Sequence, residues 1–368
     1  MKKNKSNTDS VATHIKAKKY HPERVAQKRA AQKELNIAHN AVQYQLYQFN
    51  TQKVDISFPY TSDECLVPEN DFIRWLNIDG LQELAVRKIG AYYGIHNLQI
   101  DDILSEGQRA KWDDFQDDKL FVLMPMLRLN TEKTQIETEQ LSIIIGNQLL
   151  ISFQSEHTKD PFMNVRKNIK NEESPLRLKS KVDFLFYSLI DAVVDDYFTV
   201  LDYLSDQLSF LETRITDNVF PKRTLHELSI IRKEILFVKR EITPVRDLVN
   251  SLYSQENDFI QSGSKKYFKD ILDHTMIAIE YAETYLDWSN NLQDLYMSQL
   301  NSKTNDVMKI LTVVTTLLAP ATVVGSIFGM NFEKMPLLQN ENGFLISIAV
   351  TFLLSILMLM YFKKKQWF

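Results

Sequence analysis

Two uncharged runs near the C-terminus limit this 368-residue chain more than any other feature. Ile310 through Met330 is 21 residues without a charge, and Gly343 through Phe362 is 20. Each has the roughly 20 residues a helix needs to cross the hydrocarbon core of a bilayer. A buried core helix meets the same count, but two such runs in succession point to membrane spans. Only Asn331 to Asn342 lies between them, so the spans form a helical hairpin. Lys363-Lys364-Lys365 follows the second span directly. Positive residues favour the cytoplasmic side. That places the C-terminal end there, and the even number of spans places the N-terminal region there too. The intervening loop, with Glu333, Lys334 and Glu341, then faces outside.

Composition narrows the rest. Hydrophobic residues are 44% and charged ones 24%, so the chain is neither wholly disordered nor a many-pass membrane protein. A net charge of −4 gives no reason to expect nucleic acid as a partner. Cys65 is the single cysteine, which excludes an intramolecular disulfide framework, and no Cys/His set has zinc-finger spacing. Residues 1–40 carry ten positive and three negative charges and no apolar core of a secretory signal. They read as a solvated arm, with some helix from Pro22 to Ala41, or as a basic arm resting on an anionic membrane face.

From Val54 to Phe153 the pattern is that of a small sheet with helices packed on it. Phe72–Ile78 reads as a strand ending in a turn at Asp79-Gly80. Leu81–Tyr93 reads as a helix and Leu120–Met126 as a buried strand. Leu141–Ile145 and Gln148–Phe153 flank Gly146-Asn147, a two-residue hairpin signal. After Lys181 the period becomes helical. Phe198, Leu201, Leu204, Leu208, Leu211 and Ile215 form one stripe. Leu225, Leu228, Ile231, Ile235, Val238 and Ile242 form a second, ending near Pro244. These predict two antiparallel amphipathic helices.

The first span is unusual for a helix bathed in lipid. Steps of four and three residues from Asp294 give Ser298, Asn301, Asn305, Met308, Thr312, Thr315, Ala319, Thr322, Ser326 and Gly329. This is a coiled-coil type of seam filled with polar and small residues. Single Thr or Ser residues in a membrane helix bond to their own backbone or join helices. A line sustained over ten steps is better explained by an aqueous path. Two helices cannot enclose such a path, so several copies must surround it. Asp273, Glu280, Asp287 and Asp294, seven apart, extend the line and would attract cations. From Ser264 to Gly329 a continuous helix would reach roughly 100 Å.

At this point the residues resemble a known family. Phe328-Gly329-Met330-Asn331 stands where CorA-type divalent metal transporters carry Tyr-Gly-Met-Asn, at the outer end of the first of two C-terminal spans. Tyr187–Tyr197, Asn301–Lys309, Met330–Pro336 and Tyr361–Trp367 agree with it, and the resemblance covers residues 55–368. It implies an α+β cytosolic domain, a long stalk helix and a two-helix transmembrane hairpin, assembled as a homopentameric funnel. It implies Mg2+ as substrate and regulatory ligand, with Co2+ and Ni2+ also carried and no organic cofactor. Carried over by position, Gly329, Met330 and Asn331 form the selectivity filter. Asn305, Met308, Leu311, Thr315, Ala319, Thr322 and Ser326 line the pore, with Asp294 and Thr312 added by the seam. Ala319 stands where the family often has methionine. Asp102 and Asp270, with Asp101 alongside, match cation sites between cytosolic subunits.

The expected organisation is a flexible basic arm over 1–53, an α/β domain over 54–180 and an amphipathic hairpin over 181–262. A stalk and first span over 263–330, an external loop over 331–342, a second span over 343–362 and a basic tail over 363–368 follow. The expected location is a bacterial or archaeal plasma membrane with both termini cytoplasmic. The partners are the lipid bilayer, divalent cations and further copies of the chain. Two rivals are a Zn2+ transporter on the same scaffold and a non-transporting membrane-anchored metal sensor. An enzyme has no nucleophile–base constellation to support it, and no Gly-rich phosphate loop suggests ATP-driven pumping.

Overall fold

A computed structural model describes residues 42–115, 119–130, 135–155, 160–217, 223–254, 259–330, 335, 337, 340–365 and 367. The chain forms two compact units. One comprises residues up to Tyr197 with Glu241–Met276, and the other Phe198–Arg240 with Ile277–Phe368.

The first unit is built on a seven-stranded sheet. In chain order its strands are β1 (Gln43–Phe49), β2 (Val54–Ser57), β3 (Ile73–Asp79), β4 (Lys111–Phe115), β5 (Lys119–Asn130), β6 (Gln135–Gly146) and β7 (Leu149–Gln154). The spatial order is β2-β1-β3-β7-β6-β5-β4. β3 and β7 run parallel and every other neighbouring pair is antiparallel. β3 lies between β1 and β7 and is buried on both faces, which is why Ile73–Asp79 is apolar apart from three polar positions. Those polar groups include a buried chain in which Trp75 Nε1 donates to Ser152 Oγ (2.9 Å) and Ser152 donates to Asn77 Oδ1 (2.6 Å).

Helices α1 (Glu83–Tyr93) and α2 (Asn97–Leu104) follow β3. Ala85, Val86, Ile89, Ile100 and Ile103 of these helices join Leu76, Ile78, Phe121, Leu123, Ile144, Ile151 and Phe153 of the sheet in one core. Gly90 permits that packing, because a Cβ there would lie 2.5 Å from Ile100 Cδ1. Gly94 ends α1 in the left-handed region, φ 67°, where glycine is not penalised. Short helices α3 (Met163–Lys170) and α4 (Pro175–Lys179) lead into three long ones: α5 (Val182–Thr216), α6 (Thr224–Ser254) and α7 (Lys265–Phe328). α8 (Gly343–Lys364) completes the chain.

The fold is the expected α+β region followed by a long helix and two C-terminal apolar helices. α7 and α8 are both long and apolar enough to cross a membrane. Three details differ from expectation. The arm expected over 1–53 ends in sheet: Gln43–Phe49 is β1, paired along its whole length with β3. Residues 1–41, with the expected helix of Pro22–Ala41, lie outside the described residues. The β6–β7 turn is Asn147-Gln148 and not Gly146-Asn147. Gly146 still pairs with Leu149, and Gln148 takes the positive φ of 53°. Finally, α6 runs ten residues past Pro244. A proline inside a helix costs about 3 kcal/mol. The buried stripe continues beyond it through Val245, Leu248, Val249 and Leu252, and that burial offsets the loss.

Candidate functional site

α7 carries the expected line as one unbroken helix of 64 residues. Asp294, Asn305, Met308, Leu311, Thr312, Thr315, Ala319, Thr322, Ser326, Gly329 and Met330 are all exposed within the single chain. The direction of the line is set by α8. Leu317 of α7 accepts a hydrogen bond from Ser355 Oγ of α8 (3.3 Å). Ala321, Val324, Gly325 and Phe328 share a cavity of about 590 Å3 with Phe344, Ser347, Ile348, Thr351 and Phe352. At about 100° per residue, the line from Met308 to Ser326 centres about half a turn from Leu317, Val324 and Phe328. The polar residues are thus turned away from the partner helix of their own chain.

The hydroxyls on this line have defined partners. Thr312 Oγ1 donates to the Met308 carbonyl (2.8 Å), and Thr322 Oγ1 to the Leu318 carbonyl (3.1 Å). Thr315 Oγ1 lies 2.9 Å from the Leu311 carbonyl and 3.0 Å from that of Thr312. This is the local back-bonding that Ser and Thr adopt inside helices. Past the C-terminal end of α7, Gly329 N–H donates to the Gly325 carbonyl (3.0 Å) and Met330 N–H to that of Ile327 (3.2 Å). A Cβ on Gly329 would stand 3.2 Å from the Gly325 oxygen, a tight approach that favours glycine. Asn331 lies outside the described residues. Asp273, Glu280, Asp287 and Asp294 are exposed along the same helix.

The three aspartates expected at cytosolic cation sites go to different places. Asp101 pairs with Arg87 (3.1 Å) at the surface. Asp102, half-buried, accepts from Lys111 Nζ at 2.6 Å. Asp270 converges with Asp191 and His274, their ligand atoms all lying within 4.8 Å of one another. Among the described contacts of one chain, Asp102 and Asp270 do not meet. Burial, followed by the nearby charge of Asp195, pushes the Asp191 carboxyl up to about 6, while His274 pulls it down. A dication would relieve that strain by compensating the charge. Mg2+ takes oxygen ligands near 2.1 Å, which places opposite donors about 4.2 Å apart, so the two carboxylates in this envelope suit it and the imidazole could reach it only through a bound water. Asp191 and His274 were not singled out from the sequence. Asp191 sits in the Tyr187–Tyr197 block that carries the family resemblance, but nothing local marks it as a partner of Asp270.

Four similarities accompany this geometry. Residues 70–364 match the family described as CorA-like Mg2+ transporter protein. The cobalt/magnesium transport protein CorA of Thermotoga maritima is 34% identical over 313 residues, covering 84% of this chain and 88% of that protein. The complete structure of the CorA magnesium transporter from Methanocaldococcus jannaschii superposes with a TM-score of 0.74 at 21% identity, over 88% of this chain and 98% of that one. The full-length CmaX protein gives 0.70 at 17% identity, over 89% and 99%.

Proposed function

The chain belongs to the CorA-like Mg2+ transporter family and transports divalent cations, and we propose that it does so as a homopentameric Mg2+ channel lined by α7. The observation that carries this reading is the polar line on α7, which faces away from α8 and is exposed among the described residues of its own chain. Copies arranged around an axis would bring five such lines together. The basic tail Lys363-Lys364-Lys365 favours both termini in the cytoplasm. The membrane potential then drives the dication inward, and Co2+ and Ni2+ share the path.

Each segment has a task. Exposed Asp294 and its acidic neighbours raise the local cation concentration at the inner end. Rings of Met308 and Leu311 close the path by expelling water. Gly329, Met330 and Asn331 form the filter. Mg2+ sheds water reluctantly, so amide and carbonyl oxygens there grip the hydrated ion without stripping it. In the cytosolic region, Asp102, Asp101 and Asp270 sense Mg2+ at subunit boundaries, with Asp191 and His274 completing the Asp270 end. Bound Mg2+ bridges carboxylates that otherwise repel, so falling cytosolic Mg2+ opens the path.

Mg2+ flux into liposomes holding the pure protein tests the reading. Wild type should load the vesicles under an inside-negative potential. Asn331→Ala should assemble at the same size yet carry little Mg2+. Unchanged flux in that variant would remove Asn331 from the filter, and absent flux in wild type would reject the channel. For the sensor, Asp270→Lys should make protease protection of the cytosolic region independent of added Mg2+. Protection that still rises with Mg2+ would exclude Asp270.

A further inference from the structure

We infer that Thr312, Thr315 and Thr322 give their stretch of the line a fixed hydrogen-bond polarity, their hydroxyls offering acceptors only and so favouring hydrated cations over hydrated anions without any charged residue in the span. The inference rests on α7 lining the path and assigns those three hydroxyls their part in specificity.

The argument begins with what a carbonyl can do. The hydroxyl oxygens stand 2.8 to 3.1 Å from the carbonyl oxygens of Met308, Leu311 and Leu318. A carbonyl oxygen has no proton to give, so in each contact the hydroxyl is the donor. A threonine hydroxyl has one proton and two lone pairs. With its proton committed to the backbone, it presents acceptor capacity alone. All three residues are exposed on the face turned from α8. The β-branched side chain has few rotamers in a helix, and one that makes the i−4 bond keeps this polarity in place.

Hydration chemistry completes the match. Water around a dication points its oxygens inward and its hydrogens outward, so the hydrated ion is a surface of donors. Threonine acceptors bind that surface through outer-sphere hydrogen bonds, with no need to dehydrate Mg2+. Water around an anion gives one hydrogen to the ion and turns only the other, with its lone pairs, outward, so it matches the same acceptors less well. From Thr312 to Thr322 the acceptors cover about 15 Å of helix. The first two lie within a turn of Met308 and Leu311 and bond to the carbonyls of those residues. They would hold water against the apolar constriction. This accounts for a span that passes cations although Ile310–Met330 contains no carboxylate.

The test uses the full chain in proteoliposomes and planar bilayers, with three variants. Thr315→Val/Thr322→Val keeps shape and removes the acceptors. Thr315→Ser/Thr322→Ser keeps the hydroxyls. Thr322→Cys, in a Cys65→Ala background, reports access by a charged thiol reagent. The valine pair should lose Mg2+ flux by about tenfold, the effect of roughly one net hydrogen bond at the barrier. Its reversal potential under an MgCl2 gradient should shift toward chloride. The serine pair should stay close to wild type in both. If the valine pair conducts and selects like wild type, or the serine pair fails like the valine pair, the inference is wrong. If the cysteine at 322 does not label, the lining itself is wrong, and the hydroxyl rule falls with it.

Discussion

The strands of the first unit and the helix α8 use the same residue types to opposite ends. Leu120–Leu123, Ile143–Ile145 and Leu150–Ile151 are within 1% of full burial. In α8, Phe344 is 75% exposed, Phe352 66% and Leu353 57%. The sheet withdraws its apolar surface from water inside one chain, at about 25 cal/mol per Å2. Away from its contact with α7, α8 has no cover among the described residues, so a bilayer's apolar interior suits that face. α7 falls between the two, apolar toward α8 and toward lipid but polar along one line. Apolar residues alone therefore identify a core or a membrane span equally well. The exposure of those residues tells the two apart, and the polar line separates a pore wall from an anchor.

The largest expected effect is in the sheet. Trp75 is fully buried, stacked on Tyr47 (5.1 Å) and edge-on to Phe162 (5.9 Å). Trp75→Ala should destabilise the first unit by about 3–5 kcal/mol, and Ser152 would lose its donor. Denaturant unfolding followed by far-ultraviolet circular dichroism measures it. A loss under 1 kcal/mol would mean that the sheet is not the core of this unit.

Next is a pH effect in the same region. Burial first, then Glu139 and Asp160, push Asp79 up to about 7, with Arg166 opposing them. The native carboxyl thus binds a proton more tightly than the unfolded one. Its stabilising contribution is complete below about pH 4 and is lost as pH rises through 7, by a few kcal/mol. Asp79→Asn should flatten that decline, and unfolding midpoints at pH 5 and 8 would show it. An unchanged slope would remove Asp79 as its source.

Smaller effects belong to the spans. Ser355→Ala removes the bond to the Leu317 carbonyl and should cost about 0.6 kcal/mol, as for other hydrogen bonds between membrane helices. Phe352→Ala should change stability in bilayers least of all, by under about 1 kcal/mol, because the side chain meets lipid in both folded and unfolded states. A cost near that of Trp75→Ala would show Phe352 packed against another copy, and the comparison would need redrawing.

Where the fold rests on periodicity, it was legible before the structure. The helix of α7, its polar line and the two spans follow from steps of three and four and from the absence of charge. β1 was missed although Tyr44 and Leu46 point to one side of a strand and Tyr47 and Phe49 to the other, because the basic residues before it masked a change of pattern at residue 42. β4, Lys111–Phe115, is an edge strand with three charged residues and lacks an apolar alternation to read. The Asp191–Asp270–His274 cluster was invisible for a different reason. Its members come from α5 and α7, and only tertiary packing brings them together.

If Asp102 binds Mg2+ as proposed, its ion pair with Lys111 makes that binding an exchange. A carboxylate held by its own ammonium is already neutralised, so a dication reaching it binds by exchange and not by simple capture. Each binding event must release the lysine to water, and each departure lets it return. The lysine is a tethered competitor at a constant local concentration, and it lifts the metal level at which half of such carboxylates are occupied. A bare aspartate would saturate early and stay saturated. One that carries its own rival responds over a higher range of free metal.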